Sequence, residues 1–171
     1  MIGSLRLSAI AAISAFSLVI LLGFPQTASA STVRLIPTLP MASLFHFSGP
    51  RPTDLGVTDG QLKTCPSSPN CVSSQSRDAE HSIAAIVTTT PKATLDQIAT
   101  LIEADASAQI ITRVDDYINA EYTSDLMGFV DDVEFWANAA TGKIEVRSAS
   151  RLGESDLGVN RKRIEAIRAA L

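Results

Sequence analysis

The sequence predicts an α+β domain: an antiparallel sheet of four to five strands with two helices packed on one face, in the order strand–helix–strand–strand–strand–strand–helix. Three observations predict it. Two helical hydrophobic patterns flank a central region. That region alternates with a period of two. Its links are too short for anything but antiparallel pairing.

The elements follow in order. Ser82–Thr89 is apolar and ends in β-branched residues, so it reads as a strand. Thr90-Pro91 then supplies a helix start, with Thr as N-cap and Pro at the first helical position. Leu95, Ile98, Leu101 and Ile102 fall on one face of that helix, which fades near residues 104–107. Four strand-like runs come next: Gln109–Val114, Tyr117–Thr123, Gly128–Trp136 and Lys143–Ser148. Asp115-Asp116 makes a tight turn between the first two. A helix over about Leu157–Ala170 ends the chain, with Ile164, Ile167 and Leu171 inward.

Matching apolar faces in the last hairpin sets Phe135 opposite Ile144 and Val133 opposite Val146, around a turn at 138–141. That register sets Asp131 opposite Ser148 and predicts an Asp132–Arg147 ion pair. It also sets Glu134 opposite Glu145, an unfavourable pair of like charges.

Upstream, the organisation is that of an exported chain. Leu7–Phe24 carries no charge, follows Arg6, and leads through Pro25 to Ala28-Ser29-Ala30. This is the pattern of a secretory signal peptide over 1–30, cleaved before Ser31. The alternative is an uncleaved anchor, since the run is at the short end of what spans a bilayer. No Cys follows the cleavage site, which disfavours a lipid anchor. Residues 31–61 form a Pro- and Gly-rich lead-in, in which Leu44, Phe45 and Phe47 are candidates for docking, and the domain occupies 62–171. The leader accounts for much of the positive mean hydropathy of +0.19.

Of 171 residues, 46% are hydrophobic and 19% charged, which excludes wholesale disorder. The net charge is −4 and becomes −5 without the leader, which argues against binding nucleic acid by bulk charge. Only two cysteines are present, too few for a disulfide-scaffold miniprotein.

Three clusters can carry chemistry. Cys65 and Cys71 bracket five residues with two prolines, and in an oxidising compartment they are expected to form a structural disulfide. The spacing departs from the Cys-x-x-Cys of redox pairs, and His46 and His81 are the sole histidines available to complete a metal site. His81, just before the first strand, can serve as a base or as a structural residue. The second cluster holds seven acids in the twenty residues 115–134, with no Lys or Arg. Asp131, Asp132 and Glu134 have ligand chemistry for Ca²⁺ or Mg²⁺, but alternation points Asp131 away from the other two. Salt bridges to the basic C-terminal part are the simpler expectation. The third cluster runs from Arg147-Ser148-Ala149-Ser150-Arg151 to Asn160-Arg161-Lys162-Arg163. Hydroxyls, a Gly-containing loop and cations there can form an anion site. Cations are disfavoured in a first helical turn, so either the helix starts near Asp156 or these residues have partners. No Gly-x-Ser-x-Gly and no convincing Ser–His–Asp set is present.

Cys-Pro-Ser-Ser-Pro-Asn-Cys-Val-Ser-Ser at 65–74, Gly-Phe-Val-Asp-Asp-Val-Glu-Phe at 128–135 and Arg-Ser-Ala-Ser-Arg-Leu-Gly-Glu-Ser-Asp-Leu-Gly-Val-Asn-Arg-Lys-Arg-Ile-Glu at 147–165 resemble the domain of unknown function 1499, a bacterial and plant family. The resemblance covers roughly residues 55–171, and the leader resembles that of a cyanobacterial member. It implies a small domain, often exported or membrane-associated, and implies no reaction.

The leading functional expectation is a non-catalytic binding or assembly module in the periplasm or thylakoid lumen. Its surface would be Arg147, Ser150, Arg151, Asn160 and Arg161, its partner a protein or an anionic ligand, with no cofactor. A membrane enters if the leader is retained. A second expectation is an enzyme acting on an anionic small molecule, with Asp131 or Asp132 as acid/base and Arg147 and Arg151 as clamps in one pocket. A third is thiol–disulfide chemistry through Cys65 and Cys71.

Overall fold

The structure is a computed structural model and describes residues 47–171. The leader, its cleavage site and the docking candidates Leu44 and Phe45 lie outside the described residues. The elements are β1 (Cys71–Ser73), β2 (Ile86–Val87), α1 (Pro91–Glu103), β3 (Ala108–Val114), β4 (Tyr117–Thr123), β5 (Val130–Asn138), β6 (Lys143–Ser150) and α2 (Val159–Ala169). The sheet runs β1-β6-β5-β4-β3, with β2 also on β6, and all these pairings are antiparallel. This is the α+β class and element order expected, with the short β1 added.

The free edge of β6 is shared: Ser73 pairs with Arg147 near one end, Ile86 with Ile144 near the other. For this reason the run 82–89 yields two residues of strand. Its start leans on β1 instead, where the Ile83 N–H donates to the Ser73 carbonyl at 3.3 Å. Helix α1 begins at Pro91 as expected, but Thr90 makes no side-chain cap. The Thr88 hydroxyl accepts from the Thr90 N–H at 3.1 Å and bonds Thr94 Oγ1 at 2.7 Å.

Alternation gives the sheet two unlike faces. On the helix side, Ile118, Ala120, Val133, Phe135, Ile144 and Val146 pack with Ile98, Ile102 and Ile164 in the core cluster. Each large side chain buried there contributes about 1.5–3 kcal/mol, so a one-residue slip that reversed the faces is ruled out.

A two-residue slip keeps the faces, and there the expected register is corrected. Phe135 stands opposite Val146, and Glu134 opposite Arg147. The turn explains the shift. Asn138 Oδ1 accepts from the Ala140 and Thr141 N–H groups at 3.0 and 3.3 Å. Gly142 takes the left-handed conformation, φ 66°, that closes the loop. Asn138 therefore pairs with Lys143 as the last pair of the ladder. The slip separates Glu134 from Glu145. It also replaces the expected Asp132–Arg147 pair: Asp132 binds Arg151, and Arg147 binds Glu134.

The second face of the sheet is polar and still buried. Glu134 is fully buried and Arg147 is 4% exposed. Residues 51–66 lie across this face. The Gly56 N–H donates to Glu134 Oε1 at 2.8 Å, and Arg51 pairs with Glu121. Cys65 is disulfide-bonded to Cys71 on β1, with Cα atoms 5.7 Å apart. Residues 51–61, the part of the expected lead-in that carries these contacts, thus belong to a third layer that continues to the junction with β1.

Glu134 accepts from the Tyr117 hydroxyl at 2.8 Å and from Arg147 Nη1 at 3.2 Å. Removing one partner of such a pair leaves a buried charge uncompensated, at about 3–5 kcal/mol. Arg147→Ala is therefore expected to lose stability of that order in urea unfolding. Glu134→Gln with Arg147→Met is expected to recover most of it, because the amide oxygen still accepts from Tyr117 and Gly56. A loss below about 1 kcal/mol for Arg147→Ala would place the pair among surface ion pairs in its worth.

Candidate functional site

Alternation along β5 sends Asp131 to the helix face and Asp132 to the polar face, so the two carboxylates share no cavity. Asp132 is gripped by Arg151 as a fork: Nε donates to Oδ2 at 2.8 Å and Nη2 to Oδ1 at 2.7 Å. Arg151 also binds Glu121. These hydrogen bonds, Asp132 first, raise the Arg151 pKa further, and the Arg51 hydrogen bond is the first cause lowering that of Glu121. Asp132, Arg147, Ala149 and Arg151 line a cavity of about 320 Å³ beneath Pro52 and Leu55. One atom in this network is orphaned: Arg147 Nε is buried without a partner.

On the other face, Asp131 Oδ2 accepts from Arg163 Nη2 at 2.6 Å. Arg163 Nη1 donates to Ser148 Oγ at 3.1 Å and Asn160 Oδ1 at 2.9 Å. The guanidinium lies 4.5 Å over the Tyr122 ring. Asn160, fully buried, gives Nδ2 to the Asn70 carbonyl and to Ser150 Oγ, both at 3.1 Å. It thereby ties α2 to β1 and β6.

Two of the three cations at the start of α2, Arg161 and Arg163, have partners, and Lys162 is exposed. The helix begins at Val159, and Arg161 donates to the Ser82 and Glu80 carbonyls at 2.8 Å each. The Asp156 carboxylate takes the Gly158 and Asn160 N–H groups at 2.9 and 2.8 Å. The backbone donors expected to make an anion site are thus already engaged by a carboxylate.

Of the five residues expected to form one basic surface, Arg147 and Arg151 lie on the polar face, Ser150 and Asn160 on the helix face, and Arg161 against the loop before β2. Ser150 alone of the five is shared by two cavities.

The larger of these, about 400 Å³, lies between the β4–β5 connection, the loop after β6 and the start of α2. Its buried lining includes Tyr122, 6% exposed, and Asp131, 8% exposed. Its exposed lining includes the apolar Leu152, Leu157 and Val159, at 40%, 85% and 44%, beside the polar Thr123, Ser124, Asp125 and Ser155. A second cavity, about 530 Å³, shares Tyr122, Val159 and Arg163 and continues between α1 and α2 past Leu101 and Ile167.

From the sequence, Tyr122 reads as a sheet residue first and a ligand platform second, and the structure places it in the cavity. Burial pushes its pKa up to about 12, with the Asp105 charge adding to the rise. Its hydroxyl makes no hydrogen bond with any described residue. A signal was available: alternation puts Tyr122 on the face of Ile118 and Ala120, where a hydroxyl has few partners.

His81 is structural. Nδ1 meets Asp78 Oδ1 at 2.7 Å and Nε2 meets the Ser68 carbonyl at 3.1 Å, so both ring nitrogens are held. Its pKa is raised above 6.5, first by the Ser68 carbonyl and then by Asp78, against the opposing effect of burial. Among the described residues, no group of three or more His, Cys, Asp or Glu is placed to hold a metal, and no helix is long and apolar enough to cross a membrane.

The raised His81 pKa has a sign. The protonated form is favoured in the folded state, so its contribution to stability is complete below pH 6.5. It is lost as pH rises through the folded-state midpoint. In His81→Asn, stability between pH 6 and 8 is expected to lose this downward slope, measured as urea midpoints across the range. An unchanged slope would separate the histidine from the pH dependence.

A protein-family model of unknown function, DUF1499, matches residues 61–171. No curated relative and no solved structure matches the chain. The match takes in all the strands, both helices, the disulfide and both cavity-lining loops, and the chain belongs to the DUF1499 family.

Proposed function

We propose that this protein is a non-catalytic binding domain of an exported compartment, and that its ligand site is the cavity at the Tyr122 end of the sheet. The observation that carries this reading is the Tyr122 hydroxyl. The residue is nine-tenths buried and lines the cavity, yet the hydroxyl has no hydrogen-bond partner among the described residues. Among the described residues Arg147 Nε is the buried side-chain atom without a partner, so the Tyr122 hydroxyl still reaches solvent through the cavity and is open to a hydrogen-bonding group of a ligand. The cavity volume falls within the range of small-molecule sites.

The arginines of the basic segment act as braces in this reading. Arg147, Arg151 and Arg163 are spent on Glu134, Asp132 and Asp131. Ser150 is the member of the expected surface that serves the ligand. An acid/base role for Asp131 or Asp132 has less support, because each carboxylate is paired with an arginine and they lie on opposite faces. A redox role for Cys65 and Cys71 has less support as well, because their spacing departs from the Cys-x-x-Cys of redox pairs and Cys71 is 1% exposed, which leaves Cys65 as the more accessible of the two. The disulfide itself supports export to an oxidising compartment.

Tyr122→Phe separates ligand binding from folding. The substitution removes a hydroxyl that has no hydrogen-bond partner among the described residues, so unfolding stability is expected to stay equal or rise by up to about 1 kcal/mol. Val159→Trp fills the shared part of the cavities from a partly exposed position. Native mass spectrometry of the protein isolated from its own cells without detergent is expected to show a small-molecule adduct. The adduct is expected to weaken in Tyr122→Phe and vanish in Val159→Trp. Equal adduct occupancy in all three proteins, or no adduct in any, would count against the reading.

A further inference from the structure

The chemistry of the two joined cavities restricts what can occupy them. Asp105, Asp125, Asp131 and Asp156 line them, against Lys162 and Arg163. Arg163 is already committed, to Asp131 at 2.6 Å and to Ser148 and Asn160. Asp156 blocks the helix N–H groups that would otherwise attract an anion. An anionic group placed here meets several carboxylates and no unspent guanidinium. Asp125 and Lys162 are open at the exposed rim, and among the buried groups of the lining the ones that remain open are the Tyr122 hydroxyl and Asp131 Oδ1, since Arg163 takes Oδ2. The second of these accepts only. Beside these polar groups the lining carries a set of aliphatic residues: Leu152, Leu157 and Val159 on one side of Tyr122, Leu101 and Ile167 on the other.

Resting on the binding reading above, we propose that the ligand is an amphiphile with an aliphatic body and a hydrogen-bond-donating head that carries no negative charge. The head donates to Asp131 Oδ1 and pairs with the Tyr122 hydroxyl. The body lies along the aliphatic residues, extending into the groove between α1 and α2. Three features fit this class together: a buried acceptor carboxylate, an unpartnered phenol, and apolar residues that are exposed where the cavity opens. Leu157 is the clearest of these, since it is 85% exposed and is held at φ 53°, a conformation uncommon for a leucine. An apolar side chain held in that way over a cavity gains burial when an aliphatic ligand covers it.

The test uses three probes that share an n-octyl chain and differ in the head: octyl glucoside, octylammonium and octyl sulfate. Each is titrated into the full protein below its micelle concentration, with backbone amide shifts followed by NMR. Octyl glucoside and octylammonium are expected to give saturable shifts at Tyr122, Ser150, Leu157 and Leu101. Octyl sulfate is expected to bind at least tenfold more weakly. In Asp125→Lys, a change at an exposed cavity-lining position whose side chain makes no hydrogen bond or ion pair among the described residues, the disadvantage of the sulfate is expected to shrink. Octyl sulfate binding as tightly as the other two would overturn the head-group assignment and leave the cavity as a binding site. Failure of all three probes to shift these residues, or equal shifts in Val159→Trp, would overturn the binding reading and this assignment with it.

Discussion

The fold depends on keeping a carboxylate, Glu134, in the middle of a sheet that is buried on both sides. Taking a charge out of water costs several kcal/mol unless hydrogen bonds and a counter-charge compensate. Glu134 receives the Tyr117 hydroxyl from β4, Arg147 from β6 and the Gly56 N–H from outside the sheet. These three partners come from three parts of the chain, so satisfying one group orders all of them. The register of β5 on β6, the position of β4 and the path of residues 51–66 are linked through this one residue. The Cys65–Cys71 bridge holds the same layer down at its other end. The conserved logic of an apolar core governs the opposite face, where Phe135, Val133 and Val146 meet both helices.

A second polar knot stands at the far end of β5. Asp131, Arg163, Ser148 and Asn160 join sheet to helix, with Asn160 reaching back to Asn70. The two knots differ in what they leave over. On the polar face the remainder is Arg147 Nε, sealed away from solvent. On the helix face the remainder is the Tyr122 hydroxyl and one oxygen of Asp131, both lining a cavity. Structural pairing consumes the arginines that the sequence makes conspicuous, and the buried groups left open at the cavity are neutral or acidic.

Much of the architecture was legible because periodicity carries it. Tyr117–Thr123 has the same bounds in sequence and structure, and α1 starts at the Thr-Pro pair. The choice of faces on β5 and β6 was legible for the same reason. Their register was not, because a shift of two residues preserves every face, and the deciding groups were the Asn138 side chain and Gly142. Strand β1 was hidden because Cys71–Ser73 pairs over three residues and has no period of its own. Residues 51–61 looked like linker since their contacts are backbone N–H groups and isolated charges. The ion-pairing of the acidic and basic segments was legible in general. The partners were not, because Arg151 against Arg147 for Asp132 is settled by register. Tyr122 reads as a sheet residue first and a ligand platform second, since a tyrosine in a strand is ordinary until its hydroxyl is found without a partner among the described residues.

The central claim is that residues 50–60 close a second, polar interior on which the sheet depends. The most direct measurement is native-state hydrogen exchange on β5 and β6 after those residues are replaced, within the full chain, by a Gly/Ser linker of equal length. The account predicts that the Glu134 and Arg147 amides lose tenfold or more of their protection, about 1.4 kcal/mol. Unchanged protection at both amides would contradict it, and would return this segment to the status of a passive linker.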